Sequence, residues 1–378
     1  MPNLGLTLRR SLLISVPAWA VMVSDALADC QPATPTNGQT VTCTGTQATG
    51  FIAPTAPTVV TGLTVNVLAG ASVGVTQTGT GANPTFANVR VNGTSTVNNA
   101  GTLANTTPLN RDNYGVNLAG DLSTLNNTGT ITLTAPAGNT TTRVYGAFSS
   151  APNGSQYAST TVNNGGTISV TQNGNGIARG IYSGENTTLF TINNTGTIQA
   201  TRGTTATAST AAVAGVDADD DTDRLVINNA ASGRFIATGA NTRAISGRAA
   251  QYEINNSGTI TNTTAGEAAI ATFALNAGNA GDATTVRAYN TAITNTATGV
   301  INGDVRNFDQ DLQTAATVVN LRRSGTLTNA GTINGNVAFG NGNQVVTNTG
   351  RISGNITFLD VATAGAVAGT VNTVNLGT

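Results

Sequence analysis

Ile192-Asn193-Asn194-Thr195-Gly196-Thr197-Ile198 is the stretch that decides the fold. The same phrase (apolar, Asn-Asn, any residue, Gly-Thr, apolar) recurs at Val97–Leu103, Leu125–Ile131, Val162–Ile168 and Ile254–Ile260. A stretched copy begins at Ile227-Asn228-Asn229, and degenerate copies follow around Asn295, Asn329 and Asn348. Successive copies lie 19 to 39 residues apart. A fixed phrase with an elastic spacer is the mark of a solenoid whose insertions leave as loops at one corner. The flanking Val, Ile and Thr are β-branched and suit strands. Asn and Gly tolerate the positive φ of a sharp turn, so each copy reads as strand, tight corner, strand. Asn99, Asn127, Asn164, Asn194, Asn229 and Asn256 are the expected structural turn residues. Stacked coils would set Asn over Asn at about 4.8 Å, close enough for amide ladders.

A second recurrence supplies the third side of each coil. Tyr114-Gly115-Val116, Val144-Tyr145-Gly146, Arg179-Gly180-Ile181, Ala214-Gly215-Val216 and Arg243-Ala244-Ile245 precede the phrases. The expectation is an all-β parallel β-helix (β-solenoid) of stacked three-strand coils with variable loops. Composition agrees with it. Gly, Asn and Thr are poor helix formers. Aromatics are 4% and charged residues 9% of 378 residues, against about 25% charged in an average soluble domain. The core is therefore aliphatic and thin, and each coil must borrow neighbours to bury its apolar side. There is no His, and every basic residue is Arg. That removes the usual general base near neutral pH and the usual zinc ligand. With a net charge of −1, nothing draws the chain to nucleic acid.

Residues 1–28 read as a secretory signal peptide. Arg9 and Arg10 form the positive start, Ser11 to Val23 the apolar run, and Ala26-Leu27-Ala28 the cleavage signal. Leu8 stands where the twin-arginine motif wants Ser or Thr, so general secretion is expected. Residues 29–90 should form an N-terminal cap and first coils, 91–320 the main repeats, and 321–378 a segment of shorter coils. The two cysteines, Cys30 and Cys43, follow the cleavage point and should pair in an oxidising compartment. The rival reading, a lipidated Cys30, wants a small residue where Asp29 stands.

At this point the chain resembles the passenger domain of an autotransporter, the type V secretion family. The signal peptide and the Asn-Asn phrase carry the likeness, as do the runs Asn329–Val337 and Asn348–Ile356. The resemblance implies a right-handed β-helix held outside the outer membrane, often as an adhesin. Members of that family end in a membrane β-barrel, whereas this sequence stops at Leu376-Gly377-Thr378. A truncated passenger is expected, with its outer-membrane translocator not in this chain. An extracellular or host-surface ligand and a monomeric state follow as expectations.

Candidate sites are few. The acidic run Asp217, Asp219, Asp220, Asp221, Asp223 is the sharpest. Asp217, Asp219, Asp221 and Asp223 are candidate calcium ligands, since that ion takes six to eight oxygens. A solvated insertion loop is the simpler reading. No other cofactor is expected. No Gly-x-Ser-x-Gly elbow occurs, and serines have no His to activate them. Glu185, Glu253, Glu267, Asp304, Asp309 and Asp311 are isolated carboxylates, with Asp309 and Asp311 on one face if extended. Arg322-Arg323 reads as surface charge. Tyr145, Tyr157, Tyr182 and Tyr252 are candidates for a carbohydrate-binding face, although their offsets from the phrase differ. The expectation is an exported, non-catalytic surface protein with a structural or adhesive role, a mechanical spacer being its plainest form. The alternative is a polysaccharide-active β-helix enzyme (lyase or hydrolase), which an Arg beside Asp217–Asp223 in one groove would favour.

Overall fold

The computed structural model describes residues 29–55, 58–77, 86–105, 111–137, 142–149, 157–184, 186–203, 213–219, 222–273, 289–308, 323–340, 343–358 and 372–377. The segment read as a signal peptide lies outside them. No helix occurs among the described residues. The strands form three long sheets of 13, 11 and 12 strands, and successive strands of one sheet come from successive coils. Pairing is parallel throughout, except where Cys30–Gln31 meets Thr40–Cys43 and where Thr76–Gln77 meets Phe86–Asn92. The chain is a parallel β-helix.

Register explains why the phrase repeats. In the first sheet Val97, Leu125, Val162, Ile192, Ile227 and Ile254 are mutual partners. In the second, Leu103, Ile131, Ile168, Ile198, Phe235 and Ile260 stack likewise. In the third, Val116, Ala147, Ile181, Val216 and Ile245 complete the set. All of these are buried in one continuous core. Each coil contributes one apolar side chain per sheet at these positions, so a coil missing its neighbours would expose two sides of every one of them.

The Asn-Asn pair forms two ladders. The second Asn of each copy from Asn99 to Asn329 is buried, and its amide donates to the next coil's. The chain of bonds runs unbroken from Asn99 through Asn127, Asn164, Asn194, Asn229, Asn256, Asn295 and Asn329 to Asn348, at 2.6 to 2.9 Å. The second amide hydrogen reaches a backbone carbonyl of the next coil, as from Asn127 to Thr167 and from Asn164 to Thr197, both at 3.3 Å. The first Asn of each copy makes an outer ladder in which the donors run the other way, Asn126 to Asn98 and Asn163 to Asn126, each at 2.8 Å. Opposed amide dipoles partly cancel along the axis.

Two expectations need correction. The corner is not built on positive φ. Positive-φ residues occur elsewhere, at Thr94, Leu122, Asn186 and Asn241 and at glycines such as Gly239, not in the repeated phrase. The glycine there is required by close approach: a Cβ on Gly166 would lie 2.1 Å from the Gly129 carbonyl oxygen. Nor do insertions leave at one corner. The Asn-Asn corner takes two residues in most copies and four after Asn229 and Asn295, and both other corners vary more widely, as at 203–212 between the second and third sheets and 150–156 between the third and first. The Asn ladder passes unbroken through both longer corners.

Candidate functional site

The outer face of the third sheet is where polar and aromatic chemistry gathers. Its strands Asn113–Ala119, Arg143–Ser149, Ile177–Ser183 and Val213–Ala218 each carry a glycine near the middle. A Cβ on Gly146 would sit 2.4 Å from Ile168 Cγ2 and 2.5 Å from the Gly180 oxygen. The chain bends there and the alternation slips by one. Val144 and Ala147 face the interior, while Tyr145 and Phe148, three residues apart, share the other face.

Register then builds two adjoining columns. Tyr114, Tyr145, Arg179 and Ala214 form one; Asn117, Phe148, Tyr182 and Asp217 form the other. Tyr114 stacks on Tyr145 and Tyr145 on Tyr182, each at 5.3 Å between ring centroids. Phe148 leans on Tyr114 and Tyr145 at 4.7 and 5.1 Å. The Arg179 guanidinium lies 4.0 Å above the Tyr182 ring, and its Nε is 2.5 Å from Asp217 Oδ2. The Tyr182 hydroxyl donates to Asp219 Oδ2, and Arg248 Nη2 lies 3.6 Å from Asp219 Oδ1. These groups border an open cavity of about 280 Å³. Exposed Arg143 stands at its rim and Asp219 in its wall, whereas Asp217 is buried behind Arg179.

Electrostatics follows from burial. Burial pushes the hydroxyls of Tyr114, Tyr145 and Tyr182 above the ordinary phenol range, and that of Tyr182 well above it. Asp219 adds to the effect at Tyr182, while Arg179 opposes it there and at Tyr145. All three therefore remain hydrogen-bond donors at neutral pH. Burial also pushes the Asp217 carboxyl up, with Arg179 pulling the other way. For Arg179, burial works against the charge, but Asp217 and the two tyrosines outweigh it and hold the guanidinium protonated.

The placement of the acidic run differs from a solvated loop. Asp217 is 5% exposed, inside a strand. Its side chain and that of Asp219 are answered by arginines. Asp223 lies in the next strand of the first sheet, and Asp220 and Asp221 fall outside the described residues. Among those described, no group of three or more Asp, Glu, Cys or His could hold a metal ion. The arginine sought beside the run is therefore present, as Arg179, and it pairs with the first of the acids.

The tyrosine face has different members from those expected. Tyr145 and Tyr182 belong to it, joined by Tyr114 and Phe148. Tyr252 is a core residue whose hydroxyl donates to the Ser246 carbonyl, and Tyr157 is buried on the first sheet. The available signal was the i, i+3 spacing around each third-sheet glycine: Tyr145 and Phe148, Arg179 and Tyr182, Ala214 and Asp217. Of the remaining carboxylates, Glu253 pairs with Arg224 at 2.5 Å, Asp304 with Arg306 at 2.8 Å, and Glu267 accepts from the Asn241 amide at 2.8 Å. Glu185, Asp309, Asp311 and Arg322 lie outside the described residues. Cys30 and Cys43 form a disulfide across the antiparallel pair that opens the first sheet.

Comparison with known proteins gives no match to the chain from any family model, curated protein or solved structure.

Proposed function

We propose that this protein is an exported, surface-displayed passenger whose β-helix is a rigid, non-catalytic scaffold for adhesion. The observation that carries the reading is the state of the third-sheet cavity. Its described charged groups pair with one another, Arg179 with Asp217 and Arg248 with Asp219, rather than standing as an acid and a base. Hydrolysis of a glycoside needs two carboxyl groups flanking the bond, and among the described residues Asp219 is the single carboxylate lining this cavity. A lyase needs a base, and Arg179 is held protonated by Asp217. The same contact occupies the carboxylate a calcium ion would need. Export rests on the charged, apolar and small-residue sequence of residues 1–28. A stack of interlocked coils also suits display, because it needs no ligand or partner to stay extended.

The test is location and adherence together. Antibodies raised against the folded chain should label intact cells, and surface proteolysis should remove the label. Beads coated with the purified protein should adhere to extracellular matrix or to cell-surface glycans. Antigen confined to the cytoplasm would end the display reading, and inert beads the adhesive one.

A further inference from the structure

We infer that the third-sheet cavity binds a short stretch of neutral oligosaccharide, an inference that gives a ligand class to the adhesive reading and rests on it. Three features select this ligand. The first is shape. At about 280 Å³ the cavity lies at the small end of ligand sites, room for one or two sugar rings and too little for a folded peptide. The stacked rings of Tyr114, Tyr145 and Tyr182 rise along the axis one per coil, so they floor the cavity with an apolar strip that runs in the direction of a linear chain. The second is chemistry. Sugars offer apolar C–H faces edged by hydroxyls. Phe148, half-buried, offers a matching face; the protonated hydroxyls of Tyr114 and Tyr145 and exposed Arg143 offer donors, and Asp219 an acceptor.

The third is charge. Arg179 is matched by Asp217 and Arg248 by Asp219, while Arg143 at the rim feels the nearby charge of Asp112. A phosphate or uronate would meet the negative charge of Asp219 in the cavity wall. A quaternary ammonium, which aromatic cages also favour, would meet Arg179 already seated on the Tyr182 ring. A neutral polyol brings neither penalty.

The experiment is calorimetry on the purified full chain with cellotetraose, maltotetraose, chitotetraose and mannotetraose. Trigalacturonate, sialyllactose and choline serve as charged comparators. At least one neutral tetrasaccharide should bind, and the charged probes should not. Phe148→Ala and Asp219→Asn should each weaken that binding about tenfold or more, as loss of an aromatic face or of a charged acceptor does. Circular dichroism confirms that each variant is folded. Saturation-transfer NMR on the unmodified protein supplies a readout independent of any variant, with transfer expected from aromatic protons. No binding of any neutral tetrasaccharide, equal binding by both variants, or preference for a charged probe overturns the inference. The display reading fails separately: if coated beads still adhere with Phe148→Ala, adhesion stands while this site falls. If the sugar binds but the antigen never reaches the surface, the reverse holds.

Discussion

Replacing Asn194 by alanine removes one rung from the middle of the inner ladder, and the structure sets the cost. The Asn194 side chain accepts from Asn164 at 2.8 Å and donates to Asn229 at 2.9 Å and to the Arg234 carbonyl at 3.3 Å. After the change, Asn164 keeps its weaker bonds to the Gly166 and Thr197 carbonyls, both at 3.3 Å. The Asn229 carbonyl oxygen loses its amide donor inside a residue that is 2% exposed. A stranded buried acceptor costs about 1–3 kcal/mol, and each ordinary bond lost about 1 kcal/mol. Asn194→Ala should therefore cost about 3 kcal/mol. Asn193→Ala, one residue away on the outer ladder, leaves groups that water can reach and should cost about 1 kcal/mol or less. Urea unfolding followed by circular dichroism measures both. Because stability in a solenoid is a sum of neighbour terms, hydrogen exchange at the coils around Asn194 gives the local value. Asn194→Asp adds a check. A carboxylate can accept from Asn164 but cannot donate to Asn229, so this variant should be least stable at neutral pH and recover as acid protonates it. Equal costs at positions 193 and 194, or a cost at 194 below about 1 kcal/mol, would refute the claim that the buried ladder specifies the corner.

Three further outcomes are expected. Gly166→Ala should destabilise by about 1–3 kcal/mol or more, since its Cβ would meet the Gly129 oxygen at 2.1 Å. Gly165→Ala, whose Cβ finds nothing nearer than Thr195 Oγ1 at 3.4 Å, should be neutral or slightly stabilising; melting curves that reverse this order would contradict the packing argument. Because Tyr114, Tyr145 and Tyr182 have raised folded pKa values, their stabilisation is complete below the unfolded value near 10 and is lost as pH rises through the folded values. Stability should fall above about pH 10 by up to about 1.4 kcal/mol per pH unit for each tyrosine, and their phenolate absorbance should appear only on unfolding. Finally, millimolar calcium should produce no binding heat and no rise in melting temperature, because Arg179 and Arg248 already answer Asp217 and Asp219; a rise would restore the acidic run as a metal site.

The solenoid was legible in the sequence because identical positions in successive coils touch one another. The apolar residues flanking Asn-Asn recur because each packs on its own counterpart, and the second Asn recurs because it hydrogen-bonds to its own counterpart. A periodic three-dimensional environment writes itself directly as a periodic sequence. The corner's mechanism was less legible, since Asn and Gly suit both a left-handed turn and a close-packed ladder. Only the backbone angles and the 2.1 Å approach at Gly166 decide between them.

The site depended on tertiary structure to a greater degree. Tyr114, Tyr145 and Tyr182 sit at different distances from the nearest Asn-Asn pair, because connections of unequal length separate the third sheet from the first. Interstrand register puts Tyr114 and Tyr145 in one column and Tyr182 in the adjoining one, and the glycine bend brings the two columns onto one face. The acidic run looked solvated because five aspartates crowd seven residues of sequence. Yet the burial of Asp217 is decided by Arg179, which reaches it from the preceding coil. Sequence alone therefore determined the architecture of this protein, through contacts between like positions. The tertiary structure alone decided its site, where unlike side chains meet across coils whose spacing along the chain is irregular.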